Sequence, residues 1–384
     1  MNKNKQYKIA LVLYTQGLDY DDRIRKEMLS VMKLYPNVSF KIFAVEPKNR
    51  EEDGVTSYGV PYHIPYLKSR DKYPSASHTL AKALDFYKSV KKELRTFDAL
   101  WCADIETFPF VLLTRGMPIL WDHHELPGRF MGKTMMRSVY KYMERKCKVV
   151  IHANQPRLDY MNSKALVSDV NKHFVLRNYP DFNEIDVEYD DMYHRFEQWL
   201  GDGKCVYLQG INTPARADIE SLGAILQFND LKAVVVGRIS DERRSLMEAK
   251  FGTEILAERV FFTGVIKQLK TPQYIRKCYL SLVFYKHTSP NNWYCEPNRL
   301  FQSVINGVPV VVGNNPPLEE FVNKYEVGVV ANTDGSDEIS IMAAVRKAAE
   351  NYGQLKQQAD KLPADLLWSS QEKEIEKVVD KFLS

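Results

Sequence analysis

The sequence predicts an α/β protein of two successive domains, each a parallel sheet flanked by helices. Three observations carry this prediction. Short apolar runs of strand length recur along the chain, beginning with residues 7–15, which are almost continuously apolar in the manner of a strand buried on both faces. Segments of helical period follow these runs. An acidic, turn-rich stretch over 183–202, ending in Gly-Asp-Gly, separates an earlier β/α series from a later one. With 384 residues, 45% of them hydrophobic and 27% charged, the chain is long enough for two domains with cores of their own. The expected division is a first domain over 1–182, a linker over 183–204 and a second domain over 205–367. A net charge of +4 without a lysine or arginine tract argues against nucleic acid as the main partner. Five cysteines lie scattered, with no CxxC or metal-ligand spacing, and read as reduced thiols of a cytoplasmic protein.

In the first domain the strand at 7–15 runs into the turn Thr15-Gln16-Gly17-Leu18. Asp21 or Asp22 then caps a helix that carries Ile24, Met28, Val31, Met32 and Tyr35 on one side. A second strand follows at 39–45. The turn has no GxGxxG, so a dinucleotide fingerprint is absent. Residues 46–71 read as a charged loop, and 80–97 as a lysine-rich amphipathic helix with a solvated face. The strand at 99–103 ends in Asp104. The next, at 118–121, delivers Asp122, His123, His124 and Glu125 at its carboxyl end, which is where open α/β sheets bind ligands. Imidazoles and carboxylates are metal ligands too, but adjacent side chains on a strand point to opposite faces, so no metal site is expected. For His124 the alternative is a loop histidine bonded to a backbone carbonyl.

Residues 129–148 set Arg129, Lys133, Arg137, Lys141, Arg145, Lys146 and Lys148 against one acid, Glu144, with methionines and tyrosines between them. This segment reads either as a helix that lies on anionic lipid or as a solvated face. Strands at 149–153 and 173–176 complete the first series.

The second series opens with a strand at 206–208, a turn at 210–214, and Arg216 near the start of a helix through Ile219, Leu222, Ile225 and Leu226. Free backbone N–H groups with a cation at such a turn make an anion site. Strands at 233–236 and 260–262 are each followed by glycine, in Gly237-Arg238 and Gly264-Val265. A strand at 280–285 precedes the loop 286–296, whose Asn291, Asn292 and Trp293 are candidates for ligand contact. In 295–313, Pro297 suits the first turn of a helix that runs to Asn306 and stops at Gly307, and an apolar strand follows at 308–312. Leu300, Phe301, Val304 and Ile305 share one face of that helix, leaving Arg299, Gln302, Ser303 and Asn306 on the other. The polar face either meets a phosphate or diphosphate, helped by the helix N-terminus and Arg299, or is simply solvated. A strand at 328–332 closes the series.

Pro-Asn-Arg-Leu-Phe-Gln at 297–302, followed by Val-Pro-Val-Val, resembles the donor-site motif of retaining, nucleotide-sugar-dependent glycosyltransferases of family 4. That family has the GT-B fold of two facing Rossmann-like domains with a cleft between them. Further segments resemble it in order: Asp22 to Glu27, Ala103 to Thr107, Asp122 to Glu125, and Arg177-Asn178-Tyr179-Pro180. The resemblance implies that His124 and Glu125 are catalytic. It implies donor binding by Gly210, Arg216, Gly237, Arg238, Gly264, Val265, Glu296, Asn298, Arg299, Leu300 and Gln302, with Gly17 and Asp104 on the acceptor side. Gln302 stands where the family has a Glu that holds the donor ribose, and Ile211 and Ala217 depart from its usual Arg and Gly.

The implied activity is transfer of a sugar from a nucleotide-diphosphate sugar to a glycan or lipid-linked acceptor, with retention and without a metal or other cofactor. It also implies that the terminal helix over 368–384 packs back on the first domain. A nucleotide-sugar epimerase and a non-catalytic nucleotide- or glycan-binding scaffold remain as alternatives. The apolar run after residue 8 is too short for a signal-peptide core, and no stretch reaches the roughly 20 apolar residues of a membrane span, so a soluble or peripheral membrane protein is expected.

Overall fold

A computed structural model describes residues 5–73, 77–181, 189–210, 212–361 and 366–384. The chain forms two compact units, Met1–Asn178 with Gln371–Ser384, and Tyr179–Ser370.

The first unit holds an eight-stranded sheet. Its strands are β1 (Tyr7–Tyr14), β2 (Val38–Val45), β3 (Glu52–Val55), β4 (Pro61–Ile64), β5 (Ala99–Ala103), β6 (Ile119–His123), β7 (Val149–His152) and β8 (His173–Val175). They lie in the order β3-β4-β2-β1-β5-β6-β7-β8. Every neighbouring pair is parallel except β3 and β4. The apolar run of β1 is explained by its place: Ile9 to Val12 are fully buried at the centre of the sheet. Asp21 caps the first helix, Asp22–Leu34, by accepting from the N–H of Ile24.

The stretch 46–71 is not all loop, because it contains the β3–β4 hairpin. Gly54 lies opposite Tyr62, whose ring fills the space a Cβ at 54 would need. A four-residue strand with a glycine in it carries no legible alternation. The basic segment forms two helices, Gly128–Met131 and Thr134–Lys146. The terminal helix Glu372–Leu383 belongs to this unit, with Ile375, Val378, Val379 and Phe382 buried.

The second unit holds a six-stranded, wholly parallel sheet. Its strands are β9 (Lys204–Gln209), β10 (Leu231–Val236), β11 (Val260–Gly264), β12 (Leu280–Val283), β13 (Val310–Val312) and β14 (Gly328–Val330), in the order β11-β10-β9-β12-β13-β14. Within the stretch read as linker, Asp191–Leu200 is a helix capped by Asp190. Its Tyr193, Phe196 and Leu200 pack with Tyr207, Val234 and Tyr274 in the core. Its acids face outward, which is why the segment reads as a linker by composition.

In both sheets the strand order reverses about the first strand of the series, between β1 and β5 and between β9 and β12. The carboxyl ends of strands at such reversals are where doubly wound sheets bind ligands.

Candidate functional site

Three adjacent strands of the second unit end in glycines with positive φ: Gly210 at 62° after β9, Gly237 at 115° after β10, and Gly264 at 67° closing β11. The N–H of Gly210 donates to the carbonyl of Val236 at 2.9 Å, and that of Gly237 to the carbonyl of Gly264 at 2.9 Å. A Cβ on Gly237 would lie 3.5 Å from the backbone nitrogen of Gly210. The result is a rim of bare backbone whose positive φ values disfavour a side chain at each of the three positions.

Beside this rim, at the β9/β12 reversal, stand two arginines. Arg299, from the helix Asn298–Ile305, donates through Nη1 to the carbonyl of Gln209 and through Nη2 to that of Phe284 at 2.9 Å. It therefore ties the ends of β9 and β12 together. Arg216 donates through Nη1 to the carbonyl of Gly210 at 2.6 Å. The guanidinium carbons of Arg299 and Arg216 lie 4.9 and 5.4 Å from the centre of the Tyr285 ring. Burial, and then the charge of Arg216, lowers the pKa of Arg299 against the help of Tyr285. Two like charges held this close are relieved by an anion, and this edge of the sheet is suited to one.

The helix carrying Arg299 differs from expectation in two respects. Pro297 is its N-cap rather than its first residue, and its polar face is covered. Arg299 is 4% exposed, Gln302 2% and Ser303 0%. Ser303 Oγ donates to the carbonyl of Arg299 and is hydrogen-bonded to Ser281 Oγ, which leaves it the acceptor there, while Gln302 Oε1 is buried with no hydrogen-bond partner. Arg299 thus offers charge at the rim more than free N–H groups. Leu300 is core, Glu296 and Asn298 are half-buried, and Arg238 and Val265 are exposed. Ile211 lies outside the described residues.

Sequence reasoning missed Asn315. Fully buried, it donates from Nδ2 to the carbonyl of Tyr285 at 3.1 Å and to that of Asn292 at 3.0 Å, fixing the loop 286–296 against the end of β13. An Asn before Pro-Pro at a helix start was the available signal. Asn292 spends its own Nδ2 on the carbonyl of Lys286 and on Thr288 Oγ1.

In the first unit the β1/β5 reversal brings together a charged cluster. Asp122 and His124 project to one side, while His123 packs on the opposite side with Trp121, as strand alternation requires. The partners of the His124 ring are two carboxylates rather than a backbone carbonyl: Nδ1 lies 3.2 Å from Asp104 Oδ2, and Nε2 lies 3.1 Å from Asp122 Oδ2. Asp122 Oδ1 also accepts from Arg23 Nη2 at 3.1 Å, and Arg23 Nε pairs with Glu27 at 2.9 Å.

Burial works against the charge on His124, yet Asp104 and Asp122 outweigh it and raise its pKa well above the ordinary value. Burial likewise opposes charge on Asp122, and Arg23 and His124 override it to hold that carboxyl below the usual range. The pKa of Glu27 is pushed well up by burial, against the pull of Arg23. Ligand atoms of Glu27, Asp122 and His124 lie within 4.8 Å of one another, a set that could hold a metal ion. Arg23 already pairs with both carboxylates, so the chain supplies the cation itself. Glu125 is exposed, and Gly17 is half-buried in the turn after β1.

Behind β6 lies a second cluster that the sequence did not announce. His152 Nε2 meets His173 Nδ1 at 2.8 Å, and His173 Nε2 meets Glu144 Oε1 at 2.9 Å. His123 adjoins His152, with both its ring nitrogens unpartnered. Burial depresses its pKa to about 3.

No family model matches the sequence, and no curated protein matches it. Solved structures do. Sucrose-phosphate synthase from Thermosynechococcus elongatus is similar with a TM-score of 0.72 at 14% identity, over 98% of this chain and 95% of that one. HepE of Anabaena in complex with UDP-glucose gives 0.72 at 14% identity, over 97% and 99%. The catalytic domain of starch synthase IV from Arabidopsis thaliana, bound to ADP and acarbose, gives 0.69 at 11% identity, over 99% and 100%. With its two doubly wound sheets and likeness over nearly the full chain, the protein has the GT-B glycosyltransferase fold.

Proposed function

We propose that the protein is a glycosyltransferase that moves a sugar from a nucleotide-diphosphate sugar to a glycan or lipid-linked glycan, with retention of configuration and without a metal. The observation that carries this reading is the pair Arg299 and Arg216 at the β9/β12 reversal, beside a rim of three glycines. In this reading the nucleoside lies along Gly237 and Gly264, and the diphosphate faces Arg216 beside Gly210. As the glycosidic bond to the diphosphate breaks, negative charge grows on the leaving oxygens. Fixed cations and backbone N–H groups stabilise that charge without reorganising. Gln302 takes the place of a ribose-holding carboxylate, and the loop 286–296, braced by Asn315, borders the sugar. His124 and Glu125 of the first unit are assigned to the reacting sugar, and Gly17 and Asp104 to the acceptor side. Support comes from relatives of the fold that hold UDP-glucose in one case and ADP with acarbose in another.

The test is incubation with a panel of nucleotide sugars, with and without glycan acceptors, measuring free nucleotide and the anomer formed. Acceptor-dependent release with retention is expected. Interconversion of the sugar without an acceptor would make the protein an epimerase, and binding without either reaction would make it a scaffold.

A further inference from the structure

We propose that Asp104 is a positioning residue that locks His124 between two carboxylates, so that the ring serves as a fixed cation and not as a carrier of protons. An ionised carboxylate only accepts hydrogen bonds. A ring with one nitrogen 3.2 Å from Asp104 Oδ2 and the other 3.1 Å from Asp122 Oδ2 therefore donates from both, and the imidazole with two N–H groups is the cation. Asp104 also grips the main chain, because its Oδ1 accepts from the N–H of His124 at 3.0 Å.

The backbone of Asp104 supplies independent evidence. At φ 62° and ψ 172° it occupies a region that glycine adopts and aspartate avoids. Four contacts hold it there. Its N–H donates to the carbonyl of Asp122 at 2.7 Å, its carbonyl accepts from Trp121 Nε1 and Thr107 Oγ1, and its side chain holds His124. Strain kept in place by this many partners, at the β1/β5 reversal, marks a residue whose side-chain position matters more than its comfort.

The charges that act on the ring come from several elements: Asp104 after β5, Asp122 on β6, Asp21 before the first helix and Glu27 on that helix, whose Arg23 pairs with Asp122, while His123 lies on the other side of β6. Arg157 donates to the carbonyl of His124. The two nearest are the carboxylates, and they hold the proton that burial would otherwise expel. This deepens the transfer reading, since with both N–H groups engaged the ring presents charge, not a free donor or base, to a substrate. The state of the ring itself does not depend on that reading.

The experiment is ¹⁵N nuclear magnetic resonance of the histidine-labelled full chain, with His124 assigned from its loss in His124→Gln. In the wild type both ring nitrogens should stay protonated from about pH 6 to 8, the range in which an ordinary histidine titrates. In Asp104→Asn the ring should titrate within it. Asp104→Gly deletes the carboxylate while suiting the backbone, so it gives the same answer if the Asn variant fails to fold. A wild-type His124 that loses a proton in that range, or a ring still doubly protonated in both Asp104 variants, would overturn the proposal. If turnover is found, its pH profile should lack a limb from His124 in the wild type and gain one in Asp104→Asn. If no nucleotide sugar is turned over, the function proposed above fails while the ring measurement still decides this inference.

Discussion

The guanidinium of Arg299 lies 4.9 Å from the centre of the Tyr285 ring, and its nitrogens join the end of β9 to the end of β12 through the carbonyls of Gln209 and Phe284. Arg299→Ala would strand the buried carbonyl of Phe284, at about 1–3 kcal/mol, and free the part-buried carbonyl of Gln209. Arg216 is less buried and gives one bond to Gly210. Arg216→Ala should therefore leave urea-denaturation stability within about 1 kcal/mol, yet lower nucleoside-diphosphate affinity at least tenfold, a charge-assisted bond being worth roughly 1.5–3 kcal/mol. The opposite pattern, with Arg216 carrying stability and Arg299 dispensable, would misplace the anion site.

Acid should destabilise the first unit through His123. Its folded-state pKa is held at about 3 by burial, whereas the unfolded chain takes up that proton near 6.5. Between those values the unfolded state binds more protons, so stability is full above pH 6.5 and declines as pH falls toward 3. From pH 6.5 to 5 the loss from this group is about 2 kcal/mol. His123→Phe removes the titration, so thermal scans should show it gaining on the wild type as pH drops from 7.5 to 5. An unchanged difference across that range would mean that His123 does not carry the acid sensitivity.

Gly237→Val places a branched side chain at φ 115° against the backbone of Gly210. Strain of about 1–3 kcal/mol is expected, together with loss of nucleotide binding as the rim is obstructed. A folded variant that binds nucleotide normally would show that the glycine rim is not the nucleoside platform.

The division into two β/α series, most strand positions and the helix after Pro297 could be read because apolar runs in buried parallel strands are continuous and glycine marks their ends. The β3–β4 hairpin escaped because its short strands carry Gly54 and Pro61 in place of an alternating pattern. The helix Asp191–Leu200 escaped because its outward acids outweighed its three buried residues in a composition reading. At the candidate site, residue types were legible but their engagements were not. Nothing in one dimension distinguishes an arginine that meets a ligand from one whose N–H groups are taken by carbonyls 90 and 15 residues away. The pairing of Asp104 with His124 across two strands has the same character.

The basic helix Thr134–Lys146 keeps Met135 71% exposed and Tyr142 53% exposed, but not all its cations are free to meet a membrane. Lys146 is spent on the carbonyls of Val111, Leu112 and Thr114, and Arg137 on that of Lys164. If this face docks on anionic lipid, Lys133→Glu with Arg145→Glu should release the protein from such vesicles at low salt, as rising ionic strength should. Wild-type protein that stays in the supernatant at low salt would return the helix to a solvated face. Among the described residues, no helix is long and apolar enough to cross a membrane.

Calorimetric titration of the full chain with UDP, GDP and ADP in the presence of EDTA bears most directly on the proposed donor site. Saturable binding of at least one nucleoside diphosphate is expected, unchanged by added Mg²⁺ and weakened at least tenfold in Arg216→Ala. Absence of binding to all three, or binding that appears only when a divalent metal is restored, would contradict a metal-independent nucleotide-sugar site built on Arg216 and Arg299.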